Sequence, residues 1–475
     1  MRLSPGRSRG TMSDLRDHEA ALTAALARLE RRVPFADVLA ERAVGSSLRI
    51  DTKSTTPGVE PRLVGAIFRI WDGARWVESA TSAFDERSLG GAVEALERSA
   101  AKSTAHSPAP GTSATTRGKW DTKSARPMRD VPFEETLRLA RDVRDWAKTG
   151  PSVADVQVAL GWEDDERLYL NTVGANCYQR LSRVRAGIAA IVVENGRPEA
   201  DFEAEGGVGG REVLDFMTEA VAHAVAKRAK EMLSAGPAPT GQMTVLLDPS
   251  VAGLFAHESF GHGTEADQFL RDRSYLKPIL GQTVGPEFLT IADDGAFAGG
   301  WGTIFCDDEG HPGQKNLLVD HGRFRGALHD RETAAALHAT PTGNTRRADF
   351  LSRAFVRMTN TYVEPGEWKF EELVAEAKNG VLLERGTSGI EDPLGGQMQL
   401  KVKRGHRIEN GKVTGLVGSM ALSGKVLDFL KAIRGVGRTS GMKIEPGFCG
   451  KGQTDLLPVG TGGVHLLSTA VVGPA

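Results

Sequence analysis

His257, Glu258 and His262 stand together in Phe255-Ala-His-Glu-Ser-Phe-Gly-His-Gly-Thr-Glu-Ala-Asp267. Two imidazoles beside a carboxylate are what a hydrolytic metal site needs. Neutral ring nitrogens hold Zn²⁺ while leaving a position open for water, and an unligated Glu takes the proton as that water attacks a carbonyl. The spacing is H-E-x-x-x-H. At about 100° per residue, positions five apart lie about 140° apart around an ideal helix, too far for both rings to reach one ion. Either a π-type widening absorbs one residue, or the helix stops near Gly261 and His262 turns in from its frayed end.

A catalytic site of this kind wants a third protein ligand. Glu265 and Asp267 lie close, but carboxylates just downstream of a ligand His often orient its other ring nitrogen instead. Cys449, in the glycine-rich Pro446-Gly-Phe-Cys-Gly-Lys-Gly-Gln453, is favoured over them as a thiolate presented on exposed backbone. Both carboxylates stay open as alternatives.

HESFGHGTEAD, taken with the distant FCGKGQ and PVGTGG, resembles the TldD/PmbA family of metallopeptidases. Ala292-Asp-Asp-Gly, Cys306-Asp-Asp-Glu-Gly, Gly343-Asn-Thr-Arg-Arg, Arg357-Met-Thr-Asn-Thr-Tyr-Val-Glu-Pro-Gly and Arg407-Ile-Glu-Asn-Gly-Lys resemble its other landmarks, in its order. The likeness runs from about Thr240 to the C-terminus. It implies a Zn²⁺ site of His257, His262 and Cys449, with Glu258 as general base in peptide-bond hydrolysis. It also implies extended or unfolded peptide substrates, and an active site enclosed in a homodimer or in a heterodimer with a PmbA-like subunit. The PmbA-like branch lacks the zinc motif. This chain retains it and so resembles TldD. The competing expectation is a regulatory or scaffold protein of the same fold with a structural metal. Hydrolysis of non-peptide amides is a third.

Positioning such groups falls to an α+β chain. With 475 residues, two to four domains fit. The expected divisions are a disordered tail at 1–14, an α+β domain at 15–102, a linker or long loop at 103–130, a middle α+β domain at 131–235, and a β-rich domain at 240–475 carrying the metal-binding helix. The first two domains have mixed or antiparallel sheets; the last is antiparallel, with hairpins at Asp294-Gly, Glu309-Gly, His321-Gly and Asn410-Gly. Helices are expected at 15–32, 89–101, 134–148, 213–234, 370–377 and 425–433. The similar order of elements in 15–102 and 131–235 suggests a distant duplication. Met12 is a second candidate start.

A net charge of −2 gives no general attraction to nucleic acid or to anionic membranes, and no run of 18 apolar residues occurs. Neither partner is expected. Three widely spaced cysteines argue against a disulfide framework and for the cytoplasm. Cys177 and Cys306 read as core. Gly206 to Gly210 lacks a nucleotide-loop context and reads as a turn. Asp307-Asp-Glu-Gly310 reads as an acidic turn and not as a calcium loop. The single histidines read as packing or surface residues, with only His465 near enough in sequence to Cys449 to approach the metal. Arg346-Arg347 suits either a substrate oxyanion or structural acids.

Overall fold

The computed structural model describes residues 14–103, 109–451 and 454–475. The tail read at 1–14 therefore lies outside the described residues except for Asp14, as do 104–108 of the expected linker.

The first half forms one sheet of seven strands: β1 (Phe35–Ile50), β2 (Thr55–Trp71), β3 (Trp76–Thr81), β4 (Arg117–Asp121), β5 (Val153–Asn171), β6 (Asn176–Glu194) and β7 (Arg197–Val208). Its order is β3-β2-β1-β5-β6-β4, with β7 also on β6. Every pairing is antiparallel except β4 with β6. Helices α1 (Glu19–Glu30) and α2 (Glu86–Ala100) flank the first three strands in sequence, and α3 (Phe133–Ala147) and α4 (Glu219–Met232) flank β5 to β7. The helix, three strands, helix order thus occurs twice. The segments read as separate domains, 15–102 and 131–235, share this sheet, because β1 pairs β5 from Asp37–Asn171 to Ile50–Val158. The stretch read as a linker supplies β4.

Strand alternation explains how the sheet is used. On β1, Ala36, Val38 and Ala40 pack under α1 and α2, and Leu48 and Ile50 join the core under α3 and α4. Asp37, Leu39 and Glu41 point the other way, onto the C-terminal half. Arg69 bonds Asp37 and Glu309 there, and Arg167 bonds Glu41 and Asp308. The acidic turn at 307–309 is therefore claimed by arginines of the first sheet.

The second half begins with β8 (Gly241–Leu247), which feeds helix α5 (Pro249–Leu254). Strands β9 (Ile291–Asp294), β10 (Lys315–Asp320) and β11 (Arg323–Phe324) follow, then β12 (Thr345–Arg346) and β13 (Phe355–Val356), which pair with each other, and β14 (Asn360–Val363). Next come β15 (Gly380–Glu391), β16 (Gln397–Glu409), β17 (Lys412–Val417), β18 (Met420–Lys425), β19 (Gly435–Val436), β20 (Lys443–Lys451), β21 (Thr454–Gly463) and β22 (Leu466–Pro474). One sheet runs β11-β10-β9-β14-β21-β20. The other runs β15-β8-β22-β18-β16-β17, and β15 also pairs β16, so five strands close into a barrel-like ring. The half is strand-rich and mostly antiparallel, with parallel pairs at β14–β21 and β15–β8. Asn410-Gly411 and His321-Gly322 turn hairpins with positive φ at both residues, as the sequence indicated.

Helix α5 sits directly on β21. A Cβ at Gly253 would lie 2.1 Å from the backbone nitrogen of Gly462. Only glycine at 253 allows that approach. Gly253→Ala is expected to lower unfolding free energy by about 1–3 kcal/mol and to weaken metal retention. Urea unfolding together with metal content measures both effects.

Candidate metal centre

The site grows from the end of β8. Asp248 caps α5 by accepting from the Val251 amide at 2.9 Å, and Pro249 occupies the first turn. The second carboxylate oxygen of Asp248 accepts from the Arg385 amide on β15, which ties the helix start to the neighbouring strand. After Leu254 the helix widens into a π-helix over Phe255–Gly261. The amide of His262 donates to the carbonyl of His257, an i→i+5 bond, and His262–Thr264 then tighten into a 3₁₀ turn. Of the two geometric solutions expected from the spacing, the π-type widening is the one used; the helix does not fray at Gly261, and His262 keeps helical backbone angles.

The widening brings the two rings to 5.3 Å between centroids. Cys449, on the edge strand β20, approaches from the far side, its Sγ 3.2 Å from Nε2 of His262. One ligating atom from each of His257, His262 and Cys449 lies within 4.8 Å of the other two. His257 is buried, and among the described residues neither of its ring nitrogens has a hydrogen-bond partner. Leaving such a group unpaired is costly, so it calls for an electrophile. Burial pushes the Cys449 thiol up, but the two imidazoles overcome this and bring it down to about 5, into the thiolate form a metal needs. Two imidazole nitrogens and a thiolate fit Zn²⁺.

Glu265 does not join this set. It is buried behind His262, with Oε2 3.4 Å from Nδ1. Lys451 lies 2.9 Å from the same oxygen, and Arg357 reaches the other at 3.5 Å. Burial raises the carboxyl, but Lys451, His262 and Arg357 hold it far below the usual carboxylate range. The fixed anion therefore accepts from Nδ1–H and leaves Nε2 free for the metal. Burial lowers the imidazole of His262, but Cys449 and Glu265 outweigh it and raise its pKa well above normal in the metal-free chain. Asp267 is occupied by Lys451 at 2.6 Å. Sequence reasoning missed Lys451 and Arg357. Lys451 lies two residues past Cys449 on the same strand, a spacing that shares a face.

Glu258 has a different setting. Its side chain is 28 % exposed, 3.6 Å from Nε2 of His262. It opens with His257 onto a cleft of about 520 Å³ walled by Thr387, Ser388 and Gly389 of β15 and by Glu445 to Phe448 of β20. A Cβ at Gly389 would stand 2.8 Å from that of Glu258, so glycine there makes room for the acid.

The remaining candidates lie elsewhere. Arg346 donates to the carbonyls of Met358 and Pro458, and Arg347 bonds Glu78 and the Ser352 carbonyl. His465 packs against Phe370. Cys177 and Cys306 are buried together in a small core between the two halves.

Residues 240–469 match the PmbA/TldA metallopeptidase C-terminal domain, and 126–233 match the central domain of the same family. A metalloprotease of Methanothermobacter thermautotrophicus is 32% identical over 448 residues, covering 94% of this chain and 96% of that protein. A metalloprotease of Methanocaldococcus jannaschii is 34% identical over 344 residues, 72% of this chain and 75% of that one. A protein named zinc metalloprotease TldD homolog, from Saccharolobus solfataricus, is 33% identical over 242 residues, 50% of this chain and 53% of that one. TldE from Thermococcus kodakarensis shares the fold with a TM-score of 0.74 at 16% identity, over 95% of this chain and 100% of that one. The chain belongs to the PmbA/TldD metallopeptidase family.

Two measurements test the centre. Glu265→Gln should weaken metal affinity about 10–100-fold, read by competition with a chromogenic chelator. In the metal-free protein, thiolate absorbance at 240 nm should fall as pH drops through about 5. Cys449→Ser should abolish that step, and His257→Ala should move it to higher pH.

Proposed function

We propose that this chain is a zinc-dependent peptidase that hydrolyses extended or unfolded peptides, with Glu258 as proton carrier. The observation that carries this reading is the convergence of His257, His262 and Cys449 within 4.8 Å beside an acid that stays out of the set and faces an open cleft. Zinc, when bound, would polarise the scissile carbonyl and lower the pKa of a water there. Glu258 takes the proton of the attacking water and hands it to the leaving nitrogen. Glu265, backed by Lys451 and Arg357, keeps His262 in one tautomer and orientation throughout. The thiolate of Cys449 offsets part of the metal's charge, which favours modest turnover.

The cleft's shape supports an extended substrate. β8 pairs β15 only from Gly380 to Leu383, so Thr387 to Gly389 face the cleft without a strand partner on that side. A stretched backbone can hydrogen-bond there with little side-chain selection. Assembly as a homodimer or with a PmbA-like subunit, and a cytoplasmic location, belong to the same proposal. Among the described residues, no helix is long and apolar enough to cross a membrane.

A scaffold with a structural metal is the rival reading. It has no use for an unligated, cleft-facing Glu258. Glu258→Gln should keep its full zinc content and lose cleavage of an unfolded peptide by about 10²–10⁴-fold. Chelation should abolish cleavage in the wild type and zinc should restore it. Unchanged cleavage in the variant would remove Glu258 from the chemistry, and no cleavage by zinc-loaded wild type would favour the scaffold.

A further inference from the structure

The cleft beside Glu258 adjoins a second one of about 490 Å³ at Phe448. Arg185, Ala204 and Phe448 line both. The floor of the second cleft is the helix-free face of the first sheet. Across it, Ser47 lies opposite Gly161 and Gly161 opposite Arg185, and in the next row Ala159 lies opposite Gly187 and Gly187 opposite Ala204. Small residues in adjacent rows leave this floor open. Its wall is aromatic: Trp301 and Phe448 meet edge to face at 5.7 Å, and Phe448 remains 47% exposed. Trp301 is buried, and its indole N–H has no partner among the described residues.

The charge at the junction is unbalanced. The Arg185 guanidinium lies over the Phe448 ring, 5.4 Å from its centroid. Burial alone lowers its pKa, and no carboxylate among the described residues pairs with it. Of the cations nearby, Arg385 and Lys443 are answered by Glu203, and Arg183 by the carbonyls of Trp301 and Thr303; Arg49 and Glu163, of opposite charge, also line the second cleft. A half-buried guanidinium that has the Phe448 ring on one side, and no carboxylate against it among the described residues, keeps its hydrogen-bonding edge open to an anion from outside. Its planar fork fits a carboxylate.

We propose that Arg185, with Phe448 beneath it, forms a subsite for a carboxylate of the bound peptide, either the chain end or an Asp or Glu side chain. The adjoining aromatic wall and small-residue floor take the apolar part of the same stretch. This rests on the peptidase reading above and adds a substrate preference to it, with Arg185 as the specificity-determining residue.

The test uses zinc-loaded Glu258→Gln protein, so that binding is read without cleavage. Three fluorescent unfolded peptides are compared by anisotropy: one with a free C-terminus and a single internal Glu, its C-terminal amide, and its Glu→Gln form. One neutralised form should bind about tenfold or more weakly than the parent, and which one identifies the carboxylate. Adding Arg185→Gln should weaken the parent to that same level, leave the affected neutral form unchanged, and preserve zinc content. Arg185→Lys should recover part of the loss. Equal binding of all three peptides, or an equal loss for charged and neutral forms in Arg185→Gln, overturns the subsite alone. Failure of all three to bind overturns the subsite and the peptide reading together.

Discussion

The hydrogen bond from the His262 amide to the His257 carbonyl is the constraint on which the rest of the centre depends. In a regular helix the two rings would diverge, and no adjustment of Cys449 alone would close the triangle. One extra residue in the turn removes the divergence. The wall beside that turn leaves no room for a side chain, since a Cβ at Gly261 would fall 2.2 Å from Sδ of Met358. The widened turn is pressed against Met358, and Arg357 next to it also reaches Glu265 and donates to the carbonyl of Cys449 at 2.6 Å. One segment thus braces both the helix and the strand that supply the ligands.

Strand β20 completes the grip on His262 from both sides of the ring. Cys449 faces Nε2. Two residues on, Lys451 fixes Glu265, which faces Nδ1. Both side chains come from one strand, so a shift of β20 along β21 would misplace the sulfur and release the carboxylate together. Partners behind a ligand that share an element with a ligand make the site stiff without adding contacts to the metal itself.

Much of this was legible before the fold was known, and what was not has identifiable causes. The motif around His257, the glycine-flanked His262 and the need for a widened or broken helix follow from residue types and spacing. Long helices such as α3 and the hairpins at His321-Gly and Asn410-Gly carry strong local signals. Proximity across 187 residues, between His262 and Cys449, is set by tertiary structure; the glycine-rich setting of Cys449 and the resemblance to a family pointed to it, but spacing could not. The same holds for Arg357 and for the merging of 15–102 and 131–235 into one sheet. The first seven residues of β1 are buried on both faces, and its sequence does not say that α1 and α3 cover one while the C-terminal half covers the other. The charged residues at Asp37 and Glu41 were the available clue, since an inward-facing carboxylate needs a cation from elsewhere.

Those interfacial charges bear on function as well as on architecture. Buried ion pairs add little net stability, yet removing one partner costs about 3–5 kcal/mol because a charge is left stranded. The pairs Arg69–Glu309 and Arg167–Asp308 therefore specify how the first sheet docks more than they strengthen the docking. That docking places β6 and β7 beside the metal-bearing hairpin, where Glu203 on β7 holds both Arg385 of β15 and Lys443 of β20. The two walls of the cleft are joined through a residue of the first sheet. The N-terminal half is thus part of the cleft's frame, and a C-terminal half cut away from it would keep the metal ligands in sequence while losing the charge that ties the walls together.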